Sequence, residues 1–107
     1  MKPIDEPAIQ KAVDLLRKAA PGATVIVFGS HARGESLPDS DLDLLVVEPE
    51  LKSRRDEMVR LRDVLRPLRI PVDVLVTSRR TFEEWRDTPG TVLYEANVEG
   101  RLFHAIT

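Results

Sequence analysis

FGSHARGESLPDSDLDLLVV, residues 28–47, is the stretch on which the reading of this chain turns. It closes one apolar run, TVIVF at 24–28, and ends in another, LDLLVV at 42–47. Both are rich in β-branched and aliphatic residues and short enough to be buried strands. Gly29 directly after the first run lets another group approach the backbone closely. Ser30 then opens a short helix-compatible stretch whose N–H groups can face an anion such as phosphate. Pro38-Asp39 marks a turn. Residues two apart on a strand share a face, so Asp41 and Asp43 are expected to project together while Leu42 and Leu44 point the other way. Two like charges in an apolar strand are costly to bury unpaired. A divalent cation relieves the cost, and hard carboxylate oxygens suit Mg²⁺.

The segment GSHARGES, residues 29–36, superficially fits a P-loop. A P-loop needs Lys before its final Ser or Thr, and Glu35 stands there and would repel a triphosphate.

Working outward, residues 5–20 place Ile9, Ala12, Val13, Leu16 and Ala19 at helical spacing, with Pro21-Gly22 as the stop. Residues 51–66 are charged, with Met58, Leu61, Leu65 and Leu68 recurring, and predict a second long helix. Pro71 leads into VDVLV at 72–76, a third strand carrying Asp73 within an apolar run. Thr81 with Glu84 has capping-box spacing and predicts a short helix through Trp85. Thr88-Pro89 reads as an N-cap and first helical position, opening a last helix to about Asn97. Residues 101–106, RLFHAI, suit a final short strand. The expected fold is α/β or α+β: a small mixed sheet of three or four strands flanked by helices. The 13 residues between the first two strands leave their relative direction open. If the third strand neighbours the second, Asp41, Asp43 and Asp73 converge near the Gly-Ser turn. That arrangement suits nucleotidyl or phosphoryl transfer assisted by metal ions. A single Asp at a strand start is an ordinary turn or cap residue; three acids after a Gly-Ser turn are not.

The 107 residues form one expected domain, 1–107, large enough to build a core without disulfides. Charged residues make up 32% of the chain, above the usual figure of about 25%, so a heavily charged surface is expected. The net charge of −2 disfavours general nucleic-acid binding. There is no cysteine, which excludes thiol nucleophiles and Cys-ligated metals. No apolar run approaches the span of a bilayer, and MKPIDEPAIQ lacks a signal-like apolar core, so no membrane association and a cytoplasmic location are expected.

Gly29-Ser30, ten residues, then Asp41-x-Asp43 resembles the signature of the polymerase-β-like nucleotidyltransferase superfamily. With Arg33-Gly34, Pro38-Asp39-Ser40-Asp41 and Leu44-Leu45-Val46 the run is similar to its minimal nucleotidyltransferase (MNT) branch, as are the Asp73 strand and Glu99-Gly100-Arg101. The resemblance implies that fold, with ATP as nucleotidyl donor and Mg²⁺ as metal. It implies that Gly29 and Ser30 bind phosphate, that Asp41, Asp43 and Asp73 hold the metal and carry catalysis, and that Asp73 serves as general base. It also implies an antitoxin paired with a HEPN-type RNase toxin, attaching AMP to a tyrosine hydroxyl of that partner. His31 stands where such proteins often have arginine or tyrosine.

So short a chain leaves little beyond the catalytic core, so the acceptor is expected to bring its own binding surface, as a partner protein does. Two other readings stay open: a non-enzymatic antitoxin acting by steric binding, and a small-molecule, antibiotic-type nucleotidyltransferase completed by a partner subunit. Arg33 suits either a triphosphate contact or an ion pair with Glu35 or Asp39. Lys52, Arg54 and Arg55 read as a solvated face, Glu83, Glu84 and Glu95 as helix-surface charges, and Arg79 and Arg80 as cations that could face the site. Trp85, Phe82 and Tyr94 read as core or interface anchors.

Overall fold

The computed structural model describes residues 4–34 and 40–104. The expected Pro38-Asp39 turn and the end of the 101–106 strand lie outside the described residues. The first helix, α1, spans Glu6–Ala19 and buries Ile9, Ala12, Val13 and Leu16, one face at helical spacing. Asp5 caps it by accepting from the Ala8 N–H at 3.0 Å, and Pro7 sits in the first turn, where its missing donor costs nothing.

Strand β1 is Thr24–Phe28, and α2 is the single turn Ser30–Arg33. Strand β2 is Leu42–Glu48 and begins one residue after Asp41. Helix α3, Arg54–Leu65, is capped by Ser53 and continues into a 3-10 turn at Arg66–Leu68. Strand β3 is Val72–Ser78, two residues longer than the sequence suggests. Helices α4, Arg79–Trp85, and α5, Val92–Glu99, follow, and β4 is Arg101–His104.

Two helix starts differ from expectation. Because β3 runs on to Ser78, it is Ser78 that caps α4, accepting from the Thr81 N–H at 3.1 Å; Thr81 lies inside the first turn. Thr88 and Pro89 belong to a turn rather than to α5. Gly90 takes φ +90° there, and the cap is Thr91, which accepts from the Tyr94 N–H at 3.1 Å.

The four strands form one mixed sheet in the order β3-β2-β1-β4. β1 pairs antiparallel with both β2 and β4, and β2 pairs parallel with β3. The direction left open by the sequence is therefore antiparallel, with Phe28 opposite Asp43. The parallel pair needs a crossover, and α3 supplies it.

Both faces of the central strands are apolar, but they are covered unequally. On one face, α1 and α3 seal Val25, Val27, Leu42, Leu44, Val46, Val74 and Val76 into a core of sixteen buried residues among those described. On the other, α4 and α5 cover Ile26, Phe28, Leu45 and Val47, and only five of the described residues are buried there. The thinner cover leaves part of that second face accessible beside the acids. Among the described residues no helix is long and apolar enough to cross a membrane.

Candidate active site

The site is built where β1 ends and β2 and β3 begin. Gly29 follows β1 with φ +73° and ψ −155°, a conformation essentially reserved for glycine. It also has no room for a side chain: a Cβ there would collide with the Asp43 carboxylate, with Cγ at 3.2 Å. The close approach expected of Gly29 is thus an approach to Asp43. Ser30 then begins α2, where Ala32 and Arg33 return N–H bonds to the Gly29 carbonyl.

Asp43 and Asp73 lie directly opposite each other in the β2–β3 register. Strand alternation puts both on the thinly covered face, since Leu42, Leu44 and Val74 fill the core on the other. Asp43 is half-buried and Asp73 exposed. Asp41 is exposed and precedes β2, so the strand argument for its direction does not hold. It still belongs to the site's field. The Asp43 carboxyl is held above the usual carboxylate range, first by burial, then by Asp73, Asp41 and Glu95, with His31 opposing. The side-chain carboxylates of Asp41, Asp43 and Asp73 make no hydrogen bond or ion pair with a described residue. Among the described residues no three acids or histidines are gathered tightly enough to enclose a metal by themselves.

His31 reaches the Ser40 carbonyl at 3.1 Å. A carbonyl only accepts, so Nε2 carries the proton and donates, tying α2 to the residue just before Asp41. Arg33 pairs with Glu99 at 2.9 Å and Glu95 at 3.4 Å, tying α2 to α5. Glu95 is the site-associated residue that sequence reasoning missed. It sits 62 positions from Arg33, and the only local signal is its i, i+4 spacing with Glu99. Arg79 and Arg80 begin α4 at the far end of β3, about 20 Å along the strand from Asp73, and so stand away from the acids.

A sequence-family model described as "Nucleotidyltransferase domain" matches residues 9–102, from α1 into β4 and across every site residue. The chain belongs to this nucleotidyltransferase family. No curated protein matches the sequence. Solved structures share the nucleotidyltransferase's fold at low identity. One is described as a nucleotidyltransferase from Sulfolobus solfataricus, with 23% identity and a TM-score of 0.61, covering 89% of this chain and 75% of that one. Another is a toxin–antitoxin with AMP-PNP, with 23% identity and a TM-score of 0.62, covering 87% and 69%. A third is a tyrosine-to-alanine mutant of the toxin–antitoxin MntA-HpeT, with 22% identity and a TM-score of 0.62, covering 92% and 73%. The nucleotidyltransferase fold expected from the sequence, a small mixed sheet of three or four strands flanked by helices, is the fold observed, with four strands.

Proposed function

We propose that this nucleotidyltransferase is a single domain over residues 1–107 that transfers AMP from ATP to a tyrosine hydroxyl of a partner protein. The partner would be a HEPN-type RNase toxin that the chain neutralises in the cytoplasm as antitoxin. The observation that carries the chemistry is the facing pair Asp43 and Asp73, with no ion pair to a described residue, beside a glycine that cannot hold a side chain. The likeness to a toxin–antitoxin with AMP-PNP and to MntA-HpeT supports the choice of donor and partner class.

The donor set fits Mg²⁺: hard oxygens on facing carboxylates, one of them destabilised as an anion by burial and by its acidic neighbours. Asp41, Asp43 and Asp73 would hold it. When bound, the ion offsets the charge of the phosphates and of these acids. Gly29 and Ser30 bind the phosphates through backbone N–H groups, and Gly29 lets them come close to Asp43. The acceptor oxygen attacks the α-phosphorus, the bond from that phosphorus to its bridging oxygen breaks, and pyrophosphate leaves. Asp73, the more exposed of the facing pair, takes the acceptor's proton.

The test is an intact-mass spectrum of whatever co-purifies with the chain from its native host, with an Asp41→Asn/Asp43→Asn double variant as control. A partner carrying a nucleoside-monophosphate increment, absent with the control, is the expected result. A bound partner that is unmodified in both samples would replace transfer by steric neutralisation.

A further inference from the structure

A groove of about 590 Å³ lies on the thinly covered face, over β2 and β3 and around the outer edge of β3. Its floor begins at Leu75, two residues beyond Asp73 on the same face, with the buried Leu45 beside it on β2. It therefore starts about 7 Å along the strands from the acid pair. Val92 and Leu93 of α5 form an apolar wall. At the far end stand Lys52 and Arg54, and no carboxylate of a described residue lines the groove. Neither cation has a carboxylate partner among the described residues. Arg54 uses its Nε–H on the Val76 carbonyl at 3.0 Å. That bond covers β3's outer edge there, so a guest cannot add as a further strand at that point and must dock by its side chains.

The site's order gives the groove a role, which rests on the transferase reading above. Across the sheet end the order is Gly29, Asp43, Asp73. With phosphates at Gly29, pyrophosphate leaves toward β1, and an in-line acceptor must arrive from the opposite side. That side is the β3 side, where the groove opens.

We infer that this groove is the acceptor-docking surface and takes a protein segment whose tyrosine ring lies on Leu75 against the Val92 and Leu93 wall while a flanking acidic side chain meets Lys52 and Arg54. An apolar floor favours an aromatic hydroxyl over serine, because the ring buries area that serine lacks. Two cations with no carboxylate of a described residue in the lining favour an acidic flank and oppose a cationic amino sugar.

The experiment uses the full chain and amide NMR, without nucleotide, so that docking is read separately from transfer. The probes are a short peptide with one tyrosine flanked by glutamates, its lysine-flanked counterpart, and a cationic polyhydroxylated amino sugar. The glutamate-flanked peptide is expected to shift amides at 51–54, 75–78 and 92–93 and to bind at least tenfold more tightly than its counterpart. Lys52→Glu is expected to erase that preference. Equal binding of the two peptides, shifts centred elsewhere, no shifts at millimolar peptide, or groove shifts by the amino sugar would each overturn the inference. Adding ATP and Mg²⁺ afterwards separates the two readings. Transfer to both peptides at equal rates would leave the transferase standing and remove the acidic-flank groove. Docking in the groove without any transfer would do the reverse.

Discussion

Asp43 and Asp73, thirty residues apart in the chain, are register partners on adjacent parallel strands and project from the same face of the sheet. Their mutual repulsion helps to hold the Asp43 carboxyl above its ordinary range. This pairing has consequences for both activity and stability.

Asp43→Asn and Asp73→Asn should each lower transfer by about 100-fold or more, as loss of a group acting on the reacting phosphate does. Neither should unfold the protein. Asp43 is more easily protonated in the fold than in the open chain, so at neutral pH its charge opposes folding. The Asn variant should melt at the same temperature or a few degrees higher. A melting temperature lowered by ten degrees would show that the acid is structural.

A bound cation should stabilise the fold by mass action, by about 2.7 kcal/mol at a hundredfold excess over the dissociation constant. Adding Mg²⁺ to chelator-treated protein should therefore raise the melting temperature of the wild type and leave that of Asp43→Asn unchanged. An identical rise in both would place the ion elsewhere.

Two glycines share φ +73° but differ in their surroundings. Gly29→Ala forces a methyl into the Asp43 carboxylate, whereas a methyl at Gly34 meets no described residue within 4 Å. Gly34→Ala should cost about 1–2 kcal/mol, the ordinary left-handed penalty, and leave transfer intact. Gly29→Ala should cost more, about 2–4 kcal/mol, and disable transfer by displacing Asp43. Denaturant unfolding of both variants checks the order; equal costs would remove the close-contact argument.

On the sheet's other end Glu48 and Glu57 share a hydrogen bond, and Arg60 grips Glu57 with contacts of 2.6 and 2.9 Å. Burial first, then the bond to Glu57, pushes Glu48 up to about 7; Arg60 first, then Glu48, draws Glu57 down to about 2. The two act in opposite pH windows. Glu57 adds stability above its ordinary 4.5 that is lost as pH falls toward 2. Glu48 keeps its proton in the fold, so its contribution is lost as pH rises from 4.5 through about 7. Glu48→Gln keeps a donor toward Glu57 without the charge. It should raise the melting temperature by about 2–6 °C near pH 8 and change little near pH 4. A pH-independent difference would count against the shared proton.

The Arg33 brace should be real but modest, because Arg33, Glu95 and Glu99 are 36–43% exposed. A double-mutant cycle between Arg33→Ala and Glu99→Ala should return a coupling of about 0.2–1 kcal/mol that shrinks with added salt. Zero coupling at low salt would mean that α2 and α5 are not tied through this pair.

Much of the local structure is legible in residues 24–47. The β-branched run, the glycine at its end and the two-residue spacing of Leu42, Asp43 and Leu44 each obey short-range rules, and the strands form where those rules put them. Helix α1 is equally local, since its buried stripe and its stop at Pro21 are written in consecutive residues. Caps are less secure: Ser78 or Thr81, and Thr88 or Thr91, are interchangeable chemistries until the preceding strand or turn sets where the helix can begin.

From composition and spacing alone follow an α/β chain, a Gly-Ser turn between two buried strands, and acids placed in apolar runs. The sequence leaves undecided which strands become neighbours and in what direction. β1 and β2 are antiparallel, and α3 carries the chain over so that Asp73 lands beside Asp43. Glu95 enters the site, and Glu99 meets Arg33, only because α5 packs across β1. The physical reason is range. Backbone propensity and side-chain periodicity act within a turn or two. Pairings across thirty or sixty-six residues are selected by burial of the whole apolar surface, in which every segment takes part at once.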